Sequence, residues 1–226
     1  MMLFIDSANI AQIRKFLDAG AIDGVTTNPS LLAKEGVNPA EHIEKIVKMV
    51  PGPVSVEVIS TDYEGIVTEA KKIAELGPNV VVKTPMTQQG LHAVKTLSKM
   101  NIRTNVTLVF SPNQSLLAAK AGANYVSPFI GRLDDVGHNG MNVIKYTVQI
   151  FRNYGFQSKV LVSSVRHPVH VLEAAKLGAD VATLPPEVLD KMFLHPLTDI
   201  GLKKFLDDWQ MLSKQLGKTI LPFKEG

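Results

Sequence analysis

The sequence predicts a single-domain α/β chain, a (β/α)8 (TIM) barrel with an extra C-terminal helix, and three observations carry that reading. Short β-branched runs recur about eight times along the 226 residues. Stretches of helical period separate them. No Gly-rich dinucleotide fingerprint or phosphate-binding P-loop follows any run, which disfavours the rival doubly wound open sheet. The expected boundaries are 1–219 for the barrel with its C-terminal helix and 220–226 for a loose tail.

The expected strands, in order, are "LFID" (3–6), "GVTTN" (24–28), "VSVEV" (54–58), "VVVKT" (80–84), "RTNVTLV" (103–109), "YVSPFI" (125–130), "KVLVSS" (159–164) and "VATLP" (181–185). Most read as apolar on both faces, as a buried parallel strand should. Between them, "IAQIRKFLDA", "YEGIVTEAKKIAEL", "GLHAVKTLSKM", "SPNQSLLAAKA" and "PVHVLEAAKLG" have helical period, several opened by Ser, Thr or Pro and closed by Gly. "AAKAGANYVSPF" and "AAKLGADVATLP" resemble each other, which reads as repeated βα construction. After the last strand the chain supplies a short helix and a longer amphipathic one, more than a barrel needs. A surplus helix of this kind covers a barrel face or docks on a neighbouring subunit.

A 45% hydrophobic and 20% charged composition is that of an ordinary globular core. The 24 basic and 21 acidic residues give +3, but the lysines are spread among glutamates rather than gathered in one block. That argues against nucleic acid as a partner and leaves a modest bias toward anionic small molecules. Zero cysteines exclude disulfides and thiol nucleophiles and suit a reducing compartment. The N-terminal residues lack the features of a signal peptide, and no apolar run approaches the roughly 18 residues of a membrane span. A soluble, cytoplasmic protein with no membrane partner is expected.

In such a barrel the active site lies at the C-terminal ends of the strands, so the residues standing there matter most. They are Asp6, Asn28, Glu57, Lys83, Asn105 with Thr107, Ser127 with Arg132 beyond it, and Ser164 with Arg166 beyond it. The eighth strand offers no obvious polar group. Taken singly, each has a structural explanation: Asp6 and Asn28 suit helix starts, Asn105 and Thr107 could satisfy backbone groups, and the arginines read as surface charges. Glu57 and Lys83 are harder to dismiss, because a charge in an apolar run is penalised unless it is paired or used.

Together the set suits Schiff-base chemistry on a phosphorylated sugar. A lysine amine attacks a carbonyl only when neutral, and an apolar strand end near other cations favours that form. Carboxylates and hydroxyls can move the protons, and two arginines suit a phosphate. His167 and His170 in "RHPVH" lack a third metal ligand and read as a helix start. "RLDDVGHNG" (132–140) reads as a polar loop above the mouth.

"GVTTNPSLL", "VVVKTP", "NVTLVFS", "YVSPFIGRLDD" and "SSVR", in this order and on these strands, resemble the transaldolases, in particular the short subfamily that also contains fructose-6-phosphate aldolase. The resemblance spans nearly the whole chain. It implies Lys83 as the Schiff-base lysine, Asp6 as the acid/base at the cleaved carbon–carbon bond, and Glu57 and Thr107 in the water and proton steps. It also implies Asn28, Asn105 and Ser127 as holders of the dihydroxyacetone hydroxyls, and Arg132, Ser164 and Arg166 as the phosphate site. The implied reaction carries a dihydroxyacetone unit from sedoheptulose 7-phosphate or fructose 6-phosphate to glyceraldehyde 3-phosphate or erythrose 4-phosphate, in the pentose phosphate pathway, with no metal or organic cofactor.

The aldolase branch carries Gln where Glu57 stands and Tyr where Phe129 stands, so the resemblance favours transfer over release of free dihydroxyacetone. A sugar-phosphate-binding barrel without catalysis is a more distant alternative. The short subfamily also implies a homo-oligomer, a pentamer or decamer, formed through the C-terminal helix with Trp209 and Leu212 on the docking face.

Overall fold

Eight parallel strands close on themselves in the computed structural model, which describes residues 1–217. They are β1 (Met2–Asp6), β2 (Gly24–Thr26), β3 (Val54–Glu57), β4 (Val80–Pro85), β5 (Thr104–Val109), β6 (Tyr125–Pro128), β7 (Lys159–Val162) and β8 (Val181–Leu184). The first strand pairs with both the second and the eighth, so the sheet has no edge. The helices are α1 (Ile10–Asp18), α2 (Pro29–Glu35), α3 (Pro39–Met49), α4 (Tyr63–Ala74), α5 (Gln88–Lys99), α6 (Pro112–Ala121), α7 (Ile130–Asp134), α8 (Met141–Tyr154), α9 (Pro168–Leu177), α10 (Pro186–Phe193) and α11 (Pro196–Gln215). The expected barrel is present strand for strand.

Local chemistry sets the helix ends. Asn9, Asn28, Asp62, Thr87 and Ser111 each accept a hydrogen bond from a backbone N–H of the first turn. The two similar segments noted in the sequence end alike: Gly122 and Gly178 take left-handed conformations (φ 94° and 77°) that return the chain to β6 and β8. One expected loop is a helix in part, for α7 covers the start of "RLDDVGHNG". Burial of Leu133 outweighs the polar composition around it.

The barrel interior has two levels. Phe4, Val81, Tyr125, Leu161 and Val181 form a buried apolar floor, each such side chain stabilising the fold by roughly 1.5–3 kcal/mol. Strand side chains alternate between faces, so the residues two places further on point into the same interior. Those residues are Asp6, Lys83, Ser127, Ser163 and Thr183. The inner face is therefore polar above the floor, which corrects the expectation of strands apolar on both faces. A larger apolar layer between strands and helices, including Ile13, Phe16, Ile46 and Ile144, holds the barrel from outside. The upper interior is thereby free to carry chemistry.

The chain divides into two compact units, Met1–Leu189 with the whole barrel and Asp190–Gly226 with α11. The long helix is capped by His195, and none of its residues is buried. Among the described residues no helix is long and apolar enough to cross a membrane. The expected tail, 220–226, lies outside the described residues.

Candidate active site

A cavity of about 240 Å³ opens at the C-terminal ends of the strands, where the barrel fold places active sites. Its walls bring together seven of the sequence-predicted residues: Asp6, Asn28, Lys83, Phe129, Arg132, Ser164 and Arg166. Glu57, Asn105, Thr107 and Ser127 stand beside these on the inner faces of β3, β5 and β6.

Lys83 is 5% exposed, so it has not left the core to reach solvent. Its Nζ lies 3.0 Å from Glu57 Oε2, the residue level with it on the neighbouring strand, and donates to Thr27 O at 3.2 Å. The charged group in contact with Nζ is a carboxylate, not one of the cations expected from the sequence. The arginines follow β6 and β7, whereas parallel register puts β3's carboxylate directly alongside β4. Contact with Glu57 gives the buried amine a charge partner, which offsets the penalty of holding it out of water.

Asp6 does not cap α1, for Asn9 does. Thr26 Oγ1 donates to Asp6 Oδ1 at 2.7 Å and shares a 2.6 Å hydrogen bond with Thr183 Oγ1. Because Thr26 has one proton and gives it to Asp6, Thr183 must be the donor in the second bond. The result is a chain, Thr183 to Thr26 to Asp6. Burial pushes the Asp6 carboxyl above the usual carboxylate range, partly opposed by Lys83 and the Thr26 hydrogen bond. Such a group takes up a proton more readily than a solvated aspartate.

Thr183 is the polar group of the eighth strand that the sequence reading missed, and Thr26 and Ser163 were missed with it; all three line the cavity. The available signal was the two-residue step from each apolar floor residue, Val181 to Thr183 and Leu161 to Ser163.

Asn105 is level with Lys83 on β5 and wholly buried. It accepts from Ser127 Oγ at 2.7 Å and donates to Ser55 Oγ at 3.2 Å. Asn105 and Ser127 thus form a buried network beside the cavity. Thr107 Oγ1 is buried without a hydrogen-bond partner among the described residues, a placement that costs free energy unless water or ligand completes it. The strand is irregular here: its register with β6 shifts between Val106 and Val109, and Leu108 has φ 58°. Irregularities of this kind re-aim side chains next to active sites.

The two arginines belong to adjoining segments. Arg132, on α7, lies over the Phe129 ring at 5.1 Å, a cation–π contact that lays the guanidinium along the wall. Arg166 pairs with Asp135 at 2.7 Å, with both side chains about half exposed. Ser164 has φ 61°, and its carbonyl accepts the Gly131 N–H at 3.0 Å. A Cβ on Gly131 would lie 2.2 Å from Ser164 O and 2.7 Å from Arg166 Nε, so only glycine allows this approach. The arginines are wall residues of one cavity, not scattered surface charges.

Asn28 serves both readings given to it. Its Oδ1 accepts the Leu31 N–H at 2.9 Å and starts α2, while the residue also lines the cavity.

Residues 3–216 match the family described as Transaldolase/Fructose-6-phosphate aldolase. The chain is similar to a "Probable transaldolase" of Nitrosopumilus maritimus, 59% identical over 216 residues that cover 95% of this chain and 97% of that protein. Proteins of the same name from Petrotoga mobilis and Methanococcus maripaludis are 60% and 59% identical, each over 210 residues. These cover 93% of this chain in both cases, and 95% and 98% of the relatives.

Proposed function

The chain belongs to the transaldolase/fructose-6-phosphate aldolase family, and on that premise we propose that it is a transaldolase working through an imine on Lys83. The observation that carries the reading is the buried Lys83 amine 3.0 Å from Glu57, in one cavity with Asp6 and two arginines.

The steps follow from the groups present. Lys83 Nζ, its proton passed to Glu57, attacks the ketose carbonyl carbon; loss of water from the carbinolamine gives an iminium ion. Glu57 moves the protons, and the unpartnered Thr107 hydroxyl suits a bound water. Asp6 takes the proton of the hydroxyl on the carbon beyond the scissile bond. That bond's electrons flow into the iminium, leaving an enamine on Lys83 and releasing an aldose phosphate. An acceptor aldehyde enters, the enamine carbon attacks it, and Asp6 returns the proton. Hydrolysis of the new imine frees the product ketose phosphate and the lysine. Asn28, Asn105 and Ser127 suit the hydroxyls of the retained three-carbon unit, and Arg132, Ser164 and Arg166 suit the phosphate. Phe129 offers no hydroxyl to position a hydrolytic water, which supports transfer over release.

The donors and acceptors we assign are the seven- and six-carbon ketose phosphates and the three- and four-carbon aldose phosphates of the pentose phosphate pathway. We assign the reaction to the cytoplasm, where membranes would retain such charged sugars. A coupled assay tests the reading. With fructose 6-phosphate and erythrose 4-phosphate the enzyme should form sedoheptulose 7-phosphate and glyceraldehyde 3-phosphate; without the acceptor it should release no free dihydroxyacetone. Steady release of dihydroxyacetone alone would make it an aldolase, and no turnover in either case would end the reading.

We also propose a pentamer or decamer assembled through α11. Its Leu197, Phe205, Leu206 and Leu212 are exposed by 40% or more and Trp209 by 38%, an apolar surface that water disfavours. Sedimentation should give a mass of five or ten chains, and Leu212→Glu should lower it; a monomeric wild type would contradict the assembly.

A further inference from the structure

The two segments that carry Arg132 and Arg166 are tied by more than their own side chains. Two backbone bonds of 3.0 Å join them, Ile130 N–H to Ser163 O and Gly131 N–H to Ser164 O. A third tie runs through a side chain on neither segment. His170, in the first turn of α9, is 8% exposed, and its Nδ1 accepts the backbone N–H of Arg166 at 3.3 Å. Its Nε2 lies 3.2 Å from Asp134 Oδ2 at the end of α7, and the other Asp134 oxygen accepts the Gly140 N–H at 2.9 Å at the start of α8.

A backbone N–H can only donate, so Nδ1 must be bare and the ring proton must sit on Nε2, facing Asp134. One ring therefore holds the backbone of one arginine and the end of the short helix that bears the other. We infer that His170 is a positioning residue of the phosphate site, bridging the Arg166 backbone to Asp134 so that the two guanidinium groups keep one fixed relation. This rests on the phosphate role given to Arg132 and Arg166 above.

The alternative, that the Arg166 ion pair alone fixes the site, fails on exposure. The side chains of Arg166 and Asp135 are 50% and 57% exposed, so their pair is screened and exchangeable. A phosphate arriving at Arg166 can displace Asp135. What stays in place is the Arg166 backbone, and His170 anchors it.

The tie also responds to pH. The groups facing His170 are His167, whose ring lies 3.8 Å away, Asp134 from α7, and Arg166 with its partner Asp135. Burial first, then the neighbouring His167 and Arg166, hold the His170 pKa below the ordinary 6.5 against the pull of Asp134. The ring thus stays neutral, and the tie is kept, to lower pH than an ordinary histidine would allow. As pH falls through the depressed value, a proton on Nδ1 removes the acceptor for the Arg166 N–H.

The test compares wild type with His170→Ala and His170→Asn, whose amide oxygen can take the place of Nδ1 but does not titrate. Direct titration with inorganic phosphate gives its dissociation constant, and transfer at saturating donor gives KM and kcat for erythrose 4-phosphate and for unphosphorylated erythrose. In His170→Ala the phosphate dissociation constant and the KM for erythrose 4-phosphate should rise together by roughly tenfold. The kcat, and transfer to erythrose, should stay within about twofold of wild type. His170→Asn should recover most of the binding, and the wild-type advantage over it should shrink as pH falls through the depressed His170 value.

Equal losses with both acceptors, no loss with either, or an Asn variant no better than Ala would overturn the proposal, as would a wild type that binds no phosphate. The Asn variant also serves if the Ala variant does not fold. A wild type that binds phosphate but transfers nothing would end the transaldolase reading, while the binding ratios among the three proteins would still decide the role of His170.

Discussion

Lys83→Met should lower transfer by about 10⁵-fold or more, the scale on which deletion of a covalent nucleophile acts. Methionine keeps most of the side-chain volume in a position that is almost wholly buried, so the loss is one of chemistry. In the wild type, borohydride added with fructose 6-phosphate should fix a three-carbon unit on the Lys83 peptide, read by mass spectrometry. The variant should show no adduct, and an intact Lys83 in the trapped wild type would refute the assignment. Glu57 complicates the stability of this variant, because its side chain is only 15% exposed and loses its cation. Leaving a buried charge unpaired costs up to about 3–5 kcal/mol. Lys83→Met combined with Glu57→Gln should therefore regain melting temperature without regaining activity.

Asp6→Asn is expected to act at a different step. The amide cannot accept the hydroxyl proton as the carbon–carbon bond breaks, so kcat should fall by roughly 10²–10⁴-fold. Imine formation on Lys83 does not need that step. Borohydride should then fix the whole six-carbon sugar on Lys83 in place of the three-carbon fragment, and a three-carbon adduct at the wild-type level would exclude Asp6 from bond cleavage. The pH dependence follows from the raised pKa, whose main cause is burial. As a base Asp6 must be ionised, so the acid limb of kcat should lie above the ordinary 3.8. Thr183→Val, by weakening the donor chain through Thr26, should move that limb further up.

Stability runs the opposite way. A carboxyl whose folded pKa exceeds its unfolded value contributes stability below the unfolded pKa and loses it as pH rises through the folded one. At neutral pH the Asp6 charge is a cost, so Asp6→Asn should melt higher than wild type at pH 7. Thermal melts from pH 3 to 7 check the sign.

Much of this was legible from single residues. The β-branched runs gave the eight strands because a strand packed under helices needs an apolar outer face, and Gly122 and Gly178 marked helix ends because few other residues adopt their backbone angles. Lys83, Glu57, Asp6 and both arginines stood out as charges in or just after apolar runs. Thr26, Ser163 and Thr183 did not, since a small hydroxyl in a β-branched run costs little and is common. The register of neighbouring strands decides what touches what, and it replaced the expected cations near Lys83 with Glu57. The shift in β5 and the left-handed turn at Ser164 were equally hidden, because neither position holds a residue that advertises unusual backbone angles.

Asn28 carries an evolutionary consequence. Its oxygen is committed to the Leu31 N–H, which leaves the amide nitrogen for the cavity. Aspartate would keep the cap and lose the donor; glutamine would keep a donor but fit the cap poorly; alanine would lose both. A lineage adapting to new sugars can remodel other parts of the wall one residue at a time. At position 28 the α2 cap and the cavity wall change in the same mutation, so this is where drift should be slowest and where a change in the wall would need a second change within α2 to survive.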